Sequence, residues 1–142
     1  MTEKPHILDA WALLALLQRE EPAATRVKQL LEQAQARHIE LFISIINLGE
    51  VYYRIAKRKG ETSARETLEQ VLRLSLTALS ATDERVWMAA SLKARHAISY
   101  TDAFAAAAAA ELDAILVTGA PELKALEGEI QLDALSRTPR TS

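Results

Sequence analysis

The chain has 142 residues, of which 49% are hydrophobic and 25% are charged, and this balance suits one soluble globular domain with a single core. Its formal net charge of −2 excludes a protein that coats nucleic acid through bulk positive charge. Because the chain has no cysteine, disulfides, thiolate metal sites and cysteine nucleophiles are excluded as well.

The first half of the sequence predicts two strands, each of which leads directly into a helix. Asp9 follows a short run that suits a strand, and its side chain can cap the apolar segment after it. Ser44 has the same place after the second strand, and Gly60 supplies the left-handed backbone that commonly ends a helix. The predicted elements are a strand at residues 5–8, helices at 10–17 and from Pro22 onward, a strand at 40–43 and a helix at about 45–59.

The second half continues this alternation of strands and helices. Thr82 can cap a helix that runs to about Arg95, and the alanines at 105–110 favour a helix that packs closely against a sheet. The polar segment from Ser136 predicts a frayed tail over about residues 136–142. The remaining elements are a helix at 63–74, strands at 76–79 and 115–117, a short helix after Pro121 and an edge strand at 130–132.

Strands that alternate with helices require crossover connections, so they predict a mainly parallel sheet that is covered on both faces. The expected fold is a three-layer α/β/α domain with a central five-stranded sheet, and it spans residues 1–142 without a linker. The N-terminus has no basic and apolar targeting segment, and the apolar run at 10–17 is too short to cross a membrane. The sequence therefore predicts a cytoplasmic protein.

Acidic and polar residues gather at the predicted carboxyl ends of the strands, where open parallel sheets bind their ligands. Asp9, Glu50 and Asp102 come from distant parts of the sequence and can converge at that edge. Clustered carboxylates repel one another unless a cation neutralises them, and oxygen ligands suit Mg²⁺ or Mn²⁺. Such a metal can orient a water molecule and offset charge on a phosphoryl oxygen, which suits phosphodiester hydrolysis. The polar residues near the same strand ends are Ser44, Asn47 and Thr118.

Each of the three acids also has a purely structural interpretation. Asp9 can serve only as a helix cap, and Asp102 follows Ser99 at the spacing of a capping box. Glu50 can pair with Arg54 one helical turn later. The joint placement of the acids at one edge of the sheet is what favours a site.

Two further sets of residues suggest contacts with other molecules. Arg54, Lys57 and Arg58 complement the dipole at a helix C-terminus, and they can equally grip RNA phosphates beside the acids. The large apolar share predicts a homodimer with an uncovered helix face, to which Trp11 or Trp87 can contribute.

Four motifs, in this order along the chain, give it a resemblance to a known family. They are Ile7-Leu8-Asp9-Ala10, Asn47-Leu48-Gly49-Glu50, Ser99 with Asp102-Ala103, and Leu116-Val117-Thr118-Gly119. With these motifs the chain resembles a PIN domain, and specifically the VapC toxins of VapBC toxin–antitoxin pairs, over nearly its whole length.

The resemblance implies a Mg²⁺-dependent endoribonuclease that forms a homodimer and has an antitoxin partner that covers the acidic groove. It implies that Asp9 and Asp102 are metal ligands and that Glu50 binds the metal or positions the water. Thr118 and Asn47 would support the site. One position departs from the family pattern, because Ala120 follows Thr118-Gly119 where a fourth acid is usual, and a second metal position is therefore in doubt.

Two other interpretations stay open. Ala120 favours a PIN-like protein that has lost catalysis and only binds RNA or a partner. A receiver-like signalling domain would need neighbouring acids after the first strand and a lysine after a late strand, but Asp9 is followed by Ala10 and residues 130–135 contain no lysine. Ala120 also precedes Pro121 at a weak N-cap position, so Ala120→Asp is expected to raise both stability and Mg²⁺ affinity.

Overall fold

The computed structural model describes residues 3–138, and at its centre is one sheet of five strands. The strands are β1 (His6–Leu8), β2 (Leu41–Ser44), β3 (Thr77–Leu79), β4 (Ile115–Thr118) and β5 (Gln131–Ala134). Every neighbouring pair is parallel, and the order across the sheet is β3-β2-β1-β4-β5. The predicted parallel α/β fold is confirmed, and the carboxyl ends of β1 and β4 lie side by side.

The helices begin where the sequence places their caps. They are α1 (Ala10–Leu17), α2 (Ala23–Gln35), α3 (Ile45–Lys59), α4 (Glu61–Leu72), α5 (Asp83–Arg95), α6 (Tyr100–Leu112) and a 3₁₀ helix at Pro121–Leu126. The side chains of Asp9, Ser44, Thr82 and Ser99 each accept a hydrogen bond from a backbone N–H in the first turn of the helix that follows. Each of these bonds satisfies a donor that the helix itself cannot pair.

The core lies on both faces of the sheet, and alternate strand residues point to opposite sides. Ile7 and Leu116 pack on the side of α6, whereas Leu8, Ile43 and Val117 pack with α1, α2 and α3. In α6 all seven residues from 103 to 109 are buried, six of them alanines, and small side chains let this helix lie close against the sheet. The alanine run therefore fixes the position of the first turn of α6, which carries Asp102.

The structure refines the sequence-based expectation at two places. Gly60 does have a positive φ of 92°, but its ψ of 162° is extended rather than left-handed helical, and α4 begins directly at Glu61. In the predicted frayed tail, Ser136 and Thr138 form backbone hydrogen bonds, because Ala23 N donates to Ser136 O at 3.1 Å and Thr138 N donates to Glu21 O at 2.8 Å. Residues 139–142 of that predicted tail lie outside the described residues.

No helix within residues 3–138 combines the length and the apolar composition that a membrane span requires.

Candidate active site

A groove of about 530 Å³ opens at the carboxyl edge of the sheet. It lies where β1 and β4 end, which is the position at which parallel sheets bind ligands. Its walls carry three carboxylates, Glu50, Asp102 and Glu122, together with three arginines, Arg54, Arg58 and Arg137.

Asp9 lies beneath this groove and is almost fully buried, with an exposed fraction of 1%. Its Oδ1 accepts a hydrogen bond from Ala12 N at 2.8 Å, as a helix cap does. Its Oδ2 accepts a short hydrogen bond from the Thr118 hydroxyl, whose oxygen in turn accepts from Ala120 N at 3.0 Å. Asp9 is therefore a cap and also the buried acid closest to the strand ends, so the two interpretations of this residue coexist.

Asn47 connects the segments that carry the two aspartates. Its Oδ1 accepts from Ala10 N at 3.1 Å, and its Nδ2 donates to Thr101 O at 3.2 Å. These bonds fix the backbone next to Asp9 and next to Asp102 relative to α3. Ser44, the other polar residue predicted to support the site, caps α3 by accepting from Ile46 N at 3.1 Å.

Neither of the two aspartates forms an ion pair with a basic residue within residues 3–138. Burial is the main cause that raises the pKa of Asp9 to about 7, and the charges of Asp102 and Glu50 add to it against the hydrogen bonds from Thr118 and Ala12 N. Burial and then the neighbouring Glu122 carboxyl raise the pKa of Asp102 to about 6. Asp102 Oδ2 is buried and has no hydrogen-bond partner within the described part of the chain. An unpaired buried oxygen of this kind is costly unless a cation or donor binds there.

Glu50 and the basic residues that follow it on α3 make different contacts. Glu50 accepts a hydrogen bond from Arg54 Nε at 2.8 Å, so the structural interpretation of this pair holds in the structure. Lys57 lies over the Tyr53 ring, with its Nζ 5.5 Å from the ring centroid, and it does not line the groove. Arg58 lines the groove as an RNA-contact candidate would.

The donor set fits a hard divalent cation better than any other group. Every candidate ligand is a carboxylate oxygen, and carboxylates with raised pKa values gain most from a neighbouring positive charge. Within residues 3–138, no group of three or more carboxylate or imidazole side chains is arranged to hold an ion as it stands. An ion bound by Asp9, Glu50 and Asp102 together would therefore require their side chains to move closer to one another.

Three residues of the groove were not predicted as part of it. These are Glu122, two residues after Ala120; Trp11, which is predicted as a possible interface residue; and Arg137, which falls in the predicted frayed tail. Spacing within the sequence carries no signal for Arg137, because tertiary contacts alone bring it to the groove. Trp87, the other predicted interface residue, is 72% exposed on α5 and lies away from the groove.

The structure is similar to several solved structures of toxin–antitoxin proteins. A chain of the Rickettsia felis VapBC2 complex with a promoter DNA fragment is 18% identical, with a TM-score of 0.70 over 92% of this chain and 98% of that one. A chain of DNA-bound VapBC from Salmonella typhimurium is 17% identical, with a TM-score of 0.69 over 93% and 98%. Mycobacterium tuberculosis VapC20, a sarcin–ricin loop cleaving toxin, is 18% identical, with a TM-score of 0.67 over 84% and 93%.

At these identities the structural likeness shows a shared fold. No protein with a curated description matches the chain in sequence. The family model of the PIN domain, however, matches residues 6–128, which include Asp9, Glu50 and Asp102. The chain therefore belongs to the PIN domain family.

Proposed function

We propose that this protein is a Mg²⁺-dependent endoribonuclease that hydrolyses RNA phosphodiester bonds. The observation that carries the proposal is the pair of aspartates at an open groove, the buried Asp9 beneath it and the half-buried Asp102 in its wall, whose pKa values are both raised. Acids with shifted pKa values in a cleft are typical of functional sites. Family membership and the likeness to a toxin that cleaves the sarcin–ricin loop support the same chemistry.

Asp9, Asp102 and Glu50 are the residues that would hold Mg²⁺ or Mn²⁺. The ion would supply charge neutralisation at the phosphate and would lower the pKa of the attacking water. The protein's own groups have separate tasks. Thr118 keeps the Asp9 carboxylate in a fixed orientation, and Asn47 keeps α1 and α6 at a fixed separation.

Glu50 would bind the metal or position the attacking water. Within residues 3–138 the hydrogen bond of its carboxylate is the one that Oε2 accepts from Arg54 Nε, which leaves Oε1 for an ion or a water molecule. Arg54 itself lines the groove, where a guanidinium matches a phosphate geometrically.

The biological setting that we propose is the toxin of a type II toxin–antitoxin pair in the cytoplasm, acting as a homodimer. A likeness to chains from VapBC complexes supports an antitoxin partner that covers the groove. Trp87 and Met88 are exposed on α5 and supply apolar surface for self-association. Trp11, the other predicted interface residue, lines the groove.

A second candidate is a PIN domain that binds RNA or a partner without cleaving it. Ala120 favours it, because this residue lies in the groove wall with Asp102 and Glu122 and is only 9% exposed. The position at which the family usually has a fourth acid therefore lies in the wall of the groove and carries an alanine in this chain.

The decisive experiment incubates the purified protein with a mixture of structured and single-stranded RNAs in Mg²⁺, in Mn²⁺ and in EDTA. We expect discrete cleavage products with either ion and none in EDTA. Products that persist in EDTA would reject the metal-dependent mechanism. An inert protein in all three conditions would favour the binding-only candidate.

A further inference from the structure

A largely shielded carboxylate, that of Glu20, organises one wall of the groove. Glu20, which follows α1, has a side chain that is only 13% exposed. Nη1 of Arg137 donates to both of its oxygens, at 3.1 and 3.2 Å. The Arg137 guanidinium also lies over the Trp11 ring, 5.2 Å from the ring centroid. An ion pair and a cation–π contact together hold this arginine in one orientation.

The same carboxylate reaches a second arginine through Gln18. With its amide in the orientation that satisfies both neighbours, Gln18 donates to Glu20 Oε1 at 3.0 Å. Its oxygen then accepts from Arg58 Nη1 at 2.7 Å. Glu20 thereby fixes Arg137 directly and Arg58 through one intervening amide.

The segment that carries Arg137 is itself anchored. Arg137 forms an antiparallel bridge with Pro22, and the backbone bonds on either side tie residues 136 and 138 to the α1–α2 connection. Beneath the stack, Trp11 packs directly against Gly119. Arg137 lies beyond residues 6–128, which the family model matches, whereas Trp11 and Glu20 lie within them.

Both arginines line the groove that also contains Glu50 and Asp102, and about half of the Arg137 side chain is exposed. Only one nitrogen of each guanidinium faces the Glu20–Gln18 network, so further donors remain for a ligand. Arg54 differs, because the acid of the site itself neutralises it. An acidic groove repels a polyanion, and fixed arginines on its wall offset that repulsion.

We infer that Glu20 is a positioning residue that holds Arg137 and Arg58 as a clamp for two backbone phosphates of single-stranded RNA beside the scissile bond. This inference rests on the proposed nuclease function for the identity of its ligand. Guanidinium groups held in plane match phosphate oxygens and lose little side-chain entropy when they bind. The clamp reads the backbone and not the bases, so it supplies affinity without sequence preference.

If Glu20 positions the clamp, its removal should change RNA affinity in the direction opposite to the one that its charge alone predicts. Removing an acid near a polyanion site should tighten binding, whereas Glu20→Ala should weaken it because both arginines lose their fixed orientation. The probe is a fluorescein-labelled single-stranded RNA of about 12 nucleotides, which spans several phosphates. Its Kd is measured by fluorescence anisotropy in EDTA, where no cleavage competes.

We expect Glu20→Ala and Arg137→Ala each to raise Kd by about tenfold and to lower the salt slope by about one. The double variant should bind only slightly more weakly than either single variant, because both remove the same contact. Glu20→Gln keeps an acceptor for Arg137 and should recover most of the affinity. In cleavage assays the same variants should raise KM and leave kcat nearly unchanged.

Two matched controls separate the clamp from general charge effects. Glu21→Ala removes a neighbouring exposed acid whose carboxylate bonds only to Thr25 in the described part of the chain. Arg95→Ala removes an exposed arginine that pairs with Glu129 away from the groove. Both variants should bind RNA within about twofold of the parent.

The outcomes distinguish the two proposals. If Glu20→Ala binds RNA as tightly as Glu21→Ala does, or if the parent binds no RNA at low salt, the clamp is overturned. RNA binding that depends on Glu20 without any cleavage in Mg²⁺ rejects the nuclease and keeps the clamp. Cleavage with a KM that Glu20→Ala does not change rejects the clamp alone.

Discussion

The floor of the groove, which is formed around Asp9, and its rim, which carries Asp102 and Glu122, differ in how they accommodate negative charge. At the floor, both oxygens of Asp9 accept hydrogen bonds, from Ala12 N and from Thr118. At the rim, Asp102 lies beside Glu122, and its buried Oδ2 has no partner within residues 3–138. The pKa is raised at both positions, to about 7 for Asp9 and about 6 for Asp102, but for Asp9 the protein's own donors oppose the shift.

This difference shows that folding alone provides hydrogen-bond partners for the floor of the site but not for its rim. The floor is assembled by the chain alone, since capping and the β1–β4 pairing bring its donors into place. At the rim, Asp102 and Glu122 lie side by side, so a cation bound there would be stabilising. We therefore expect floor variants to change chemistry and folding together, and rim variants to respond chiefly to added metal.

The largest expected effect is on cleavage by a floor variant. Asp9→Asn keeps the shape and the acceptor for Ala12 N but removes the ligand charge, so cleavage should fall by at least about 10³-fold. Because a costly buried charge is also removed, its metal-free stability at pH 8 should equal or exceed that of the parent. Rates come from a gel assay and stability from thermal unfolding.

The control for this variant is Asp113→Asn. Asp113 is 89% exposed, pairs with Lys4 and has a left-handed backbone that asparagine tolerates. It should cleave at the parental rate. Equal activity of Asp9→Asn and the parent would remove Asp9 from the catalytic assignment.

The next effect tests the packing beside the floor. A Cβ at Gly119 would lie 2.4 Å from two atoms of the Trp11 ring, so Gly119→Ala must displace the ring. We expect a loss of about 1–3 kcal/mol in the free energy of unfolding. Denaturant titration measures it.

Two comparisons isolate the cause of that loss. Gly49→Ala, which meets no atom within 4 Å, should instead stabilise α3 by about 0.5–1 kcal/mol. In a Trp11→Leu background, most of the cost of Gly119→Ala should disappear. A cost that is the same in both backgrounds would show that the Trp11 contact is not its source.

A smaller effect is the pH dependence of stability without metal. Asp9 and Asp102 have folded pKa values above the ordinary value of 3.8, so the stability they allow is complete below about pH 4 and is lost as pH rises through about 6 and 7. In EDTA the unfolding temperature of the parent should decline more steeply over this range than that of Asp9→Asn. Saturating Mg²⁺ should flatten the parental decline, because a cation favours the ionised acids. Parallel pH profiles for the parent and Asp9→Asn would contradict the raised pKa of Asp9.

The smallest expected effect is a change in stability from substitutions at Ala120, in the rim of the groove. The structure places Ala120 at the N-cap of the 3₁₀ helix with no side-chain hydrogen bond, as the sequence predicts. Ala120→Asn should stabilise the protein by about 1 kcal/mol with or without Mg²⁺. Ala120→Asp adds a charge beside Asp102 and Glu122, so its gain should appear only with Mg²⁺ and should accompany tighter Mg²⁺ binding. Calorimetry on both variants compares these gains, and a gain from Ala120→Asp that does not depend on Mg²⁺ would place this position outside the metal site.

The sequence by itself determined the elements and their caps. Asp9, Ser44, Thr82 and Ser99 cap helices through contacts with residues two or three positions away, and such contacts follow from local spacing. The Glu50–Arg54 pair is equally local. Alternating strands and helices implied a parallel sheet, and strand ends implied where acids could gather. The outline of the site was therefore readable without a structure.

Only the tertiary structure decided which distant residues complete that outline. Thr118 reaches Asp9 because β1 and β4 are neighbours in the sheet, an order that spacing does not encode. Trp11 became a groove wall because Gly119 and Arg137 enclose it from remote parts of the chain. Arg137 stands at the groove because the chain after β5 turns back to pair with the α1–α2 connection. Each of these contacts depends on the closing of a long loop, and its partners are fixed only when the whole core packs.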